Sequence, residues 1–129
     1  MMLPARRCAL VAAAVLGALA VATGAFGAHG LSGRVSPHML DVWQTAVRYH
    51  MWHVLVLLAA CALEPLWGRR SMVAACSAWL AGIALFSGSL YLLVLTGIGI
   101  LGAITPVGGV VLIAGWVLLA SAALGAGRA

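Results

Sequence analysis

From Ser71 to Gly127 the chain contains no Asp, Glu, Lys, Arg or His. A soluble domain carries about 25% charged residues, spread along the chain, because its surface has to be hydrated. A stretch this long without a charge is therefore solvated by lipid, and in lipid the backbone must satisfy its own hydrogen bonds, as a helix does. The rest of the sequence agrees: 65% of all residues are hydrophobic and 7% are charged. With 129 residues there is material for one domain. The expected fold class is an all-α membrane protein, a bundle of four transmembrane helices with a short amphipathic segment before the second.

A hydrocarbon core of about 30 Å takes about 20 helical residues. The first span is read at 8–28, after Arg6-Arg7. Gly17, Ala20, Gly24 and Gly27 share one stripe of it, spaced by three and four, where small side chains let another helix come close. A cleaved signal peptide ending at Ala20-Val21-Ala22 is the alternative. The apolar run continues beyond that site, which favours a retained helix. Residues 29–35 read as a loop, and Ser36-Pro37 as a cap followed by proline at the first helical position. Segment 37–48 is amphipathic and lies near the interface or extends the second span, 49–64. Glu64-Pro65 ends that span. Gly68-Arg69-Arg70 is a turn and Ser71 a cap for the third span, 72–96. A glycine-rich connector leads to Thr105-Pro106, read as a second cap-then-proline, and to the fourth span, 106–124. On it Gly108, Gly115 and Ala122 recur every seven residues, with Leu112 and Leu119 between them, as a seam for a helix partner.

The net charge of +5 comes from seven arginines against Asp41 and Glu64. The arginines stand at the ends of apolar runs, where they meet headgroups, and not on one face as in a nucleic-acid binder. With four spans, Arg6, Arg7, Arg69, Arg70 and Arg128 share one side, and Arg34 and Arg48 the other. The positive-inside rule then puts both termini in the cytoplasm of a multi-pass protein of a bacterial inner membrane.

Chemistry-bearing residues gather toward the other side. His29 ends the first span, and His50 and His53 lie one turn apart on the second. Neutral imidazole ligates haem iron, zinc or copper, so His29 with His53 or His50 is one reading. The simpler one is an interfacial belt with Trp43, Tyr49 and Trp52. Ser87, Ser89 and Tyr91 on the third span reach the same level as Thr105. The expectation is one polar cluster of His29, His53, Ser87, Ser89, Tyr91 and Thr105, tying helix ends together. The single Asp leaves no Ser/His/Asp set, and the glycine-rich stretch has no lysine and follows no strand, unlike a phosphate loop. Cys8, Cys61 and Cys76 have no CxxC spacing and read as small apolar packing residues, with Cys61 and Cys76 level on neighbouring helices.

Four blocks occur in order: Gly24-Ala25-Phe26-Gly27-Ala28-His29-Gly30-Leu31, Thr45-Ala46-Val47-Arg48-Tyr49-His50-Met51-Trp52-His53, Phe86-Ser87-Gly88-Ser89-Leu90-Tyr91, and Leu101-Gly102-Ala103-Ile104-Thr105-Pro106-Val107-Gly108-Gly109. Together the chain resembles the YgdD-like family of small four-helix membrane proteins, a domain of unknown function. The resemblance implies a retained first helix. It also implies a glutamine-like residue more often at position 50, which makes His29 and His53 the stronger ligand candidates. It brings no activity. The leading expectation is a non-enzymatic helical subunit or accessory factor that needs no cofactor. Its partners are the lipid bilayer and either a second copy or a larger membrane complex, not nucleic acid. The runner-up is a membrane protein that binds a small molecule, haem or a metal through its outer-side histidines. A channel or lipid transporter is a third class, and would need an oligomer.

Overall fold

A computed structural model describes residues 4–126. Arg128 lies outside the described residues. The chain is helical almost throughout, and the described residues contain no strand. Helix α1 runs Pro4–Ala25 and continues into a π-helical turn, Phe26–Leu31. Helix α2 spans Pro37–Ala62, α3 is a single turn at Glu64–Trp67, α4 spans Arg69–Thr96 and α5 Leu101–Ala126. Four helices are long and apolar enough to cross a membrane: α1 with its π turn, α2, α4 and α5.

Local chemistry explains most boundaries. Ser36 Oγ accepts the Met39 N–H at 3.2 Å, and Pro37 opens α2. No break separates segment 37–48 from the remainder of α2, so the amphipathic stretch is the first half of that helix and not a separate one. α4 starts at Arg69 behind Gly68, whose φ of 81° only glycine adopts readily. Ser71 therefore sits inside the first turn and caps nothing. Gly97, at φ 71°, closes α4 by donating its N–H to Leu93 O at 2.8 Å. Two other boundaries differ from the sequence reading. His29 lies in the π turn, not in a loop. Pro106 lies within α5, which begins at Leu101. Leu101, Gly102 and Ala103 donate their N–H groups to Ile98, Gly99 and Ile100 O, so a turn is already closed ahead of Pro106.

The helices pack in chain order: α1 on α2, α2 on α4, α4 on α5, while α1 and α5 make no backbone-level contact among the described residues. Only 17% of the apolar stretch of α1 and of α5 is buried, against 39% for α2 and 33% for α4. α1 and α5 are thus flanks, and α2 and α4 the centre. The core gathers Ala13, Leu57, Cys61, Met72, Ala75 and Trp79 around α4. Cys61 and Cys76 lie side by side in it as free thiols.

Glycine sets the helix spacing. A Cβ on Gly108 would fall on the backbone of Leu85 and Phe86, so α4 and α5 meet main chain to main chain. Beside this crossing the helices exchange side chains. Leu112 of α5 fills the space over Gly82 of α4, and Trp79 of α4 lies across Gly115 of α5. On α1 the stripe faces α2: Gly27 lies under the Trp43 indole, 2.6 Å from the position of an added Cβ, and Gly17 and Gly24 lie at ordinary contact with Val54 and Val47. Both glycine seams are therefore spent inside the chain.

Gly108→Ala is expected to destabilise the protein by about 1–3 kcal/mol, the usual cost of overpacking a tight site. Gly88→Ala, where a Cβ meets nothing within 4 Å, should stay within about 0.5 kcal/mol. Likewise Gly24→Leu should cost more than Val21→Leu, because Val21 is 64% exposed. Unfolding in mixed detergent micelles measures all four; equal stability of the Gly108 and Gly88 variants contradicts the packing.

Candidate functional site

Toward the end of the bundle where α1 turns into α2, buried and half-buried polar groups form links between helices. α1 is tied to α2 by Trp43 Nε1–H, which donates to Thr23 O at 2.8 Å. α2 is tied to α4 by Ser87 Oγ–H, which donates to Ala46 O at 2.8 Å. α4 is tied to α5 by Ser89 Oγ and Thr105 Oγ1, 2.7 Å apart, with Ser89 also donating to Phe86 O at 2.9 Å. α5 reaches α2 through Trp116 Nε1–H, which donates to His53 Nε2 at 3.3 Å.

Tyr91 of α4 joins three helices. Its hydroxyl lies 3.2 Å from Thr23 Oγ1 on α1 and 3.1 Å from His50 Nδ1 on α2. Its ring packs on Trp43, centroids 4.6 Å apart, and Trp43 meets Phe26 of the π turn edge-on at 5.5 Å. A fully buried group such as Ser87 would cost about 1–3 kcal/mol if left without a partner, and the links together favour one register of the helices.

The two histidines one turn apart differ in what their nitrogens do. His53 Nδ1 lies 2.8 Å from Tyr49 O, a carbonyl that can only accept, so the proton is assigned to Nδ1. Nε2 then accepts from Trp116, and both nitrogens of a neutral ring are occupied. His50, 4% exposed, is bonded at Nδ1 alone; its Nε2 is buried without a hydrogen-bond partner.

Of the residues singled out in the sequence, Ser87, Ser89, Tyr91, Thr105 and His53 all take part in these links, but as separate bonds rather than one mutual cluster. His29 is exposed on the π turn and has no hydrogen bond to them. A His29–His53 ligand pair therefore meets two obstacles in the structure: one partner is exposed and the other has both nitrogens engaged. No group of three His, Cys, Asp or Glu suited to a metal occurs among the described residues. Four participants lie outside the expected cluster. Thr23 looks like one more small residue of α1, Trp43 like an interface anchor and His50 like the lesser of a pair, while Trp116 carries no mark in the sequence. At the opposite end Arg6 Nε of α1 lies 3.9 Å from Glu64 Oε2, so the start of α1 and the α3 turn share one side.

These features define a small polytopic α-helical membrane protein whose spans are joined by glycine contacts and buried hydrogen bonds. Its sequence is 52% identical to a UPF0382 membrane protein of Staphylococcus aureus, over 81% of this chain and 88% of that protein. It is 48% identical to the UPF0382 membrane protein YwdK of Bacillus subtilis, over 89% and 94%. The chain belongs to the family described as protein of unknown function (DUF423), whose model matches residues 23–109. No solved structure matches it.

Tyr91→Phe removes two interhelix hydrogen bonds, each worth about 0.6 kcal/mol by membrane-protein averages. It should lower the unfolding free energy by about 1 kcal/mol. His29→Ala should leave it within about 0.5 kcal/mol. A larger loss for His29→Ala in the same micelle titration would contradict this assignment of the links.

Proposed function

We propose that the protein is a non-catalytic helical subunit or accessory factor of a bacterial inner membrane, with both termini in the cytoplasm. We take the YgdD-like resemblance to denote the same family, because all four blocks that carry it fall within residues 23–109. The observation that carries the reading is how the polar side chains are used. The hydroxyls and indole N–H groups of the outer cluster are directed at other helices, so their chemistry is spent on holding the fold. Orientation rests on the arginine count. Arg6, Arg7, Arg69 and Arg70 lie at the start of α1 and of α4, the side that the positive-inside rule assigns to the cytoplasm.

Partner contact falls to the flanks. The seams on α1 and α5 are used internally, which leaves their outer faces: Val11 and Val15 on α1, and Val110 and Val117 on α5, each more than half exposed. In a membrane protein such faces meet lipid or another helix.

Two measurements check the proposal. A periplasm-dependent reporter fused after Arg128 should be silent, and one inserted at Gly33 active; the reverse pattern overturns the orientation. Photocrosslinking residues placed at Val11, Val15, Val110 and Val117 in living cells should give a discrete protein adduct from at least one flank. Lipid adducts alone from all four positions would overturn the subunit reading.

A further inference from the structure

At the end of the bundle that carries the Arg6–Glu64 pair, a groove of about 740 Å³ opens between α3, α4 and α5. Trp67 of α3 forms one side, and Arg70 and Ser71 line it on the first turn of α4. Further into the membrane its walls are Ala74 of α4 and Leu118 and Ala122 of α5. On α5 the groove runs from Gly125 to Leu118, about 10 Å at 1.5 Å per residue. It therefore starts among headgroups and ends among acyl chains. Small residues make the room: a Cβ added at Gly125 would meet nothing within 4 Å.

The charges at this end decide what kind of head would sit there. Arg6 and Arg7 on α1 and Arg69 and Arg70 on α4 stand against one carboxylate, Glu64, which lies beside Arg6. Asp41, the other acidic side chain, is in the half of α2 at the opposite end. Arg70 is exposed, and among the described residues no salt bridge reaches it. A guanidinium offers parallel N–H donors that match the oxygens of a phosphate. Ser71, which caps nothing, lines the groove next to it.

We propose that this groove holds one anionic phospholipid of the surrounding leaflet, with its phosphate on Arg70 and Ser71 and an acyl chain over Ala74 and Ala122. The excess of arginine selects a head with net negative charge over a zwitterionic one. The apolar depth selects a lipid over a soluble phosphate, which would leave Leu118 and the alanines uncovered. No residue of the groove takes part in the hydrogen bonds between helices, so it can be altered without cutting them.

The test is native mass spectrometry of the full-length protein in mild detergent, titrated with phosphatidylglycerol or with phosphatidylethanolamine of the same acyl chains. The first phosphatidylglycerol should bind saturably, and more tightly than the first phosphatidylethanolamine. Arg70→Gln should weaken phosphatidylglycerol binding about fivefold, the effect of one basic residue at the headgroups, and narrow the gap between the two lipids. Arg34→Gln removes the same charge from an exposed position at the opposite end and should leave both affinities as they were. Ala74→Trp keeps the charge and fills the groove, and should weaken binding at least as much as Arg70→Gln. Should that variant fail to fold, Ser121→Trp, at an exposed position on the α5 wall, serves instead. Glycerol phosphate in excess, a phosphate without chains, should not displace the lipid. Equal affinity for the two lipids, equal effects of Arg70→Gln and Arg34→Gln, unchanged binding when the groove is filled, or displacement by glycerol phosphate overturns the proposal.

Discussion

The approach of α5 to α4 at Gly108 is the contact on which the rest of the structure depends. In lipid there is no hydrophobic gain from bringing two helices together, so dispersion and hydrogen bonds have to hold them. Both fall away steeply with separation. With glycine at 108 the backbones of α5 and Leu85–Phe86 touch, and that spacing brings Leu112 over Gly82, Trp79 over Gly115, and Thr105 to within 2.7 Å of Ser89. One turn of helix thus sets both the packing and the polar link between the same two spans.

From that pair the structure extends by polar ties. Trp116 carries α5 to α2 through His53, and Ser87 carries α4 to the α2 backbone. Tyr91 carries α4 to α1 and α2 at once. α1 has the least packing, and the Trp43 indole both covers Gly27 and bonds Thr23 O to hold it. The π turn at Phe26–Leu31 brings Phe26 against the same indole. Beyond the packing of its small residues on α2 and the core, α1 is held by these directed contacts at one end and reaches Glu64 through Arg6 at the other.

Much of this was legible in the residues. Charge-free runs of spanning length define the helices, and regularly spaced glycines mark faces where helices meet. The sequence does not say which helix each seam meets. Gly82 carries no such periodic mark, yet it receives Leu112, because its role comes from the crossing point and not from a repeat along α4. Thr105-Pro106 reads as a helix start, but backbone bonds from Leu101, Gly102 and Ala103 close a turn ahead of it and the helix begins at Leu101. The polar links were legible as a level in the membrane and not as pairs. Two histidines one turn apart, His50 and His53, end with partners on different helices, Tyr91 of α4 and Trp116 of α5. Only the fold tells the two imidazoles apart.

The central claim is that α4 and α5 meet backbone to backbone at Gly108. A nuclear Overhauser effect between the Gly108 Hα protons and the Phe86 amide proton, measured on labelled protein in nanodiscs, tests it most directly. The account predicts a strong cross-peak, accompanied by contacts from Leu112 methyls to Gly82. Absence of the Gly108–Phe86 cross-peak, with both resonances assigned and the protein folded, would contradict it.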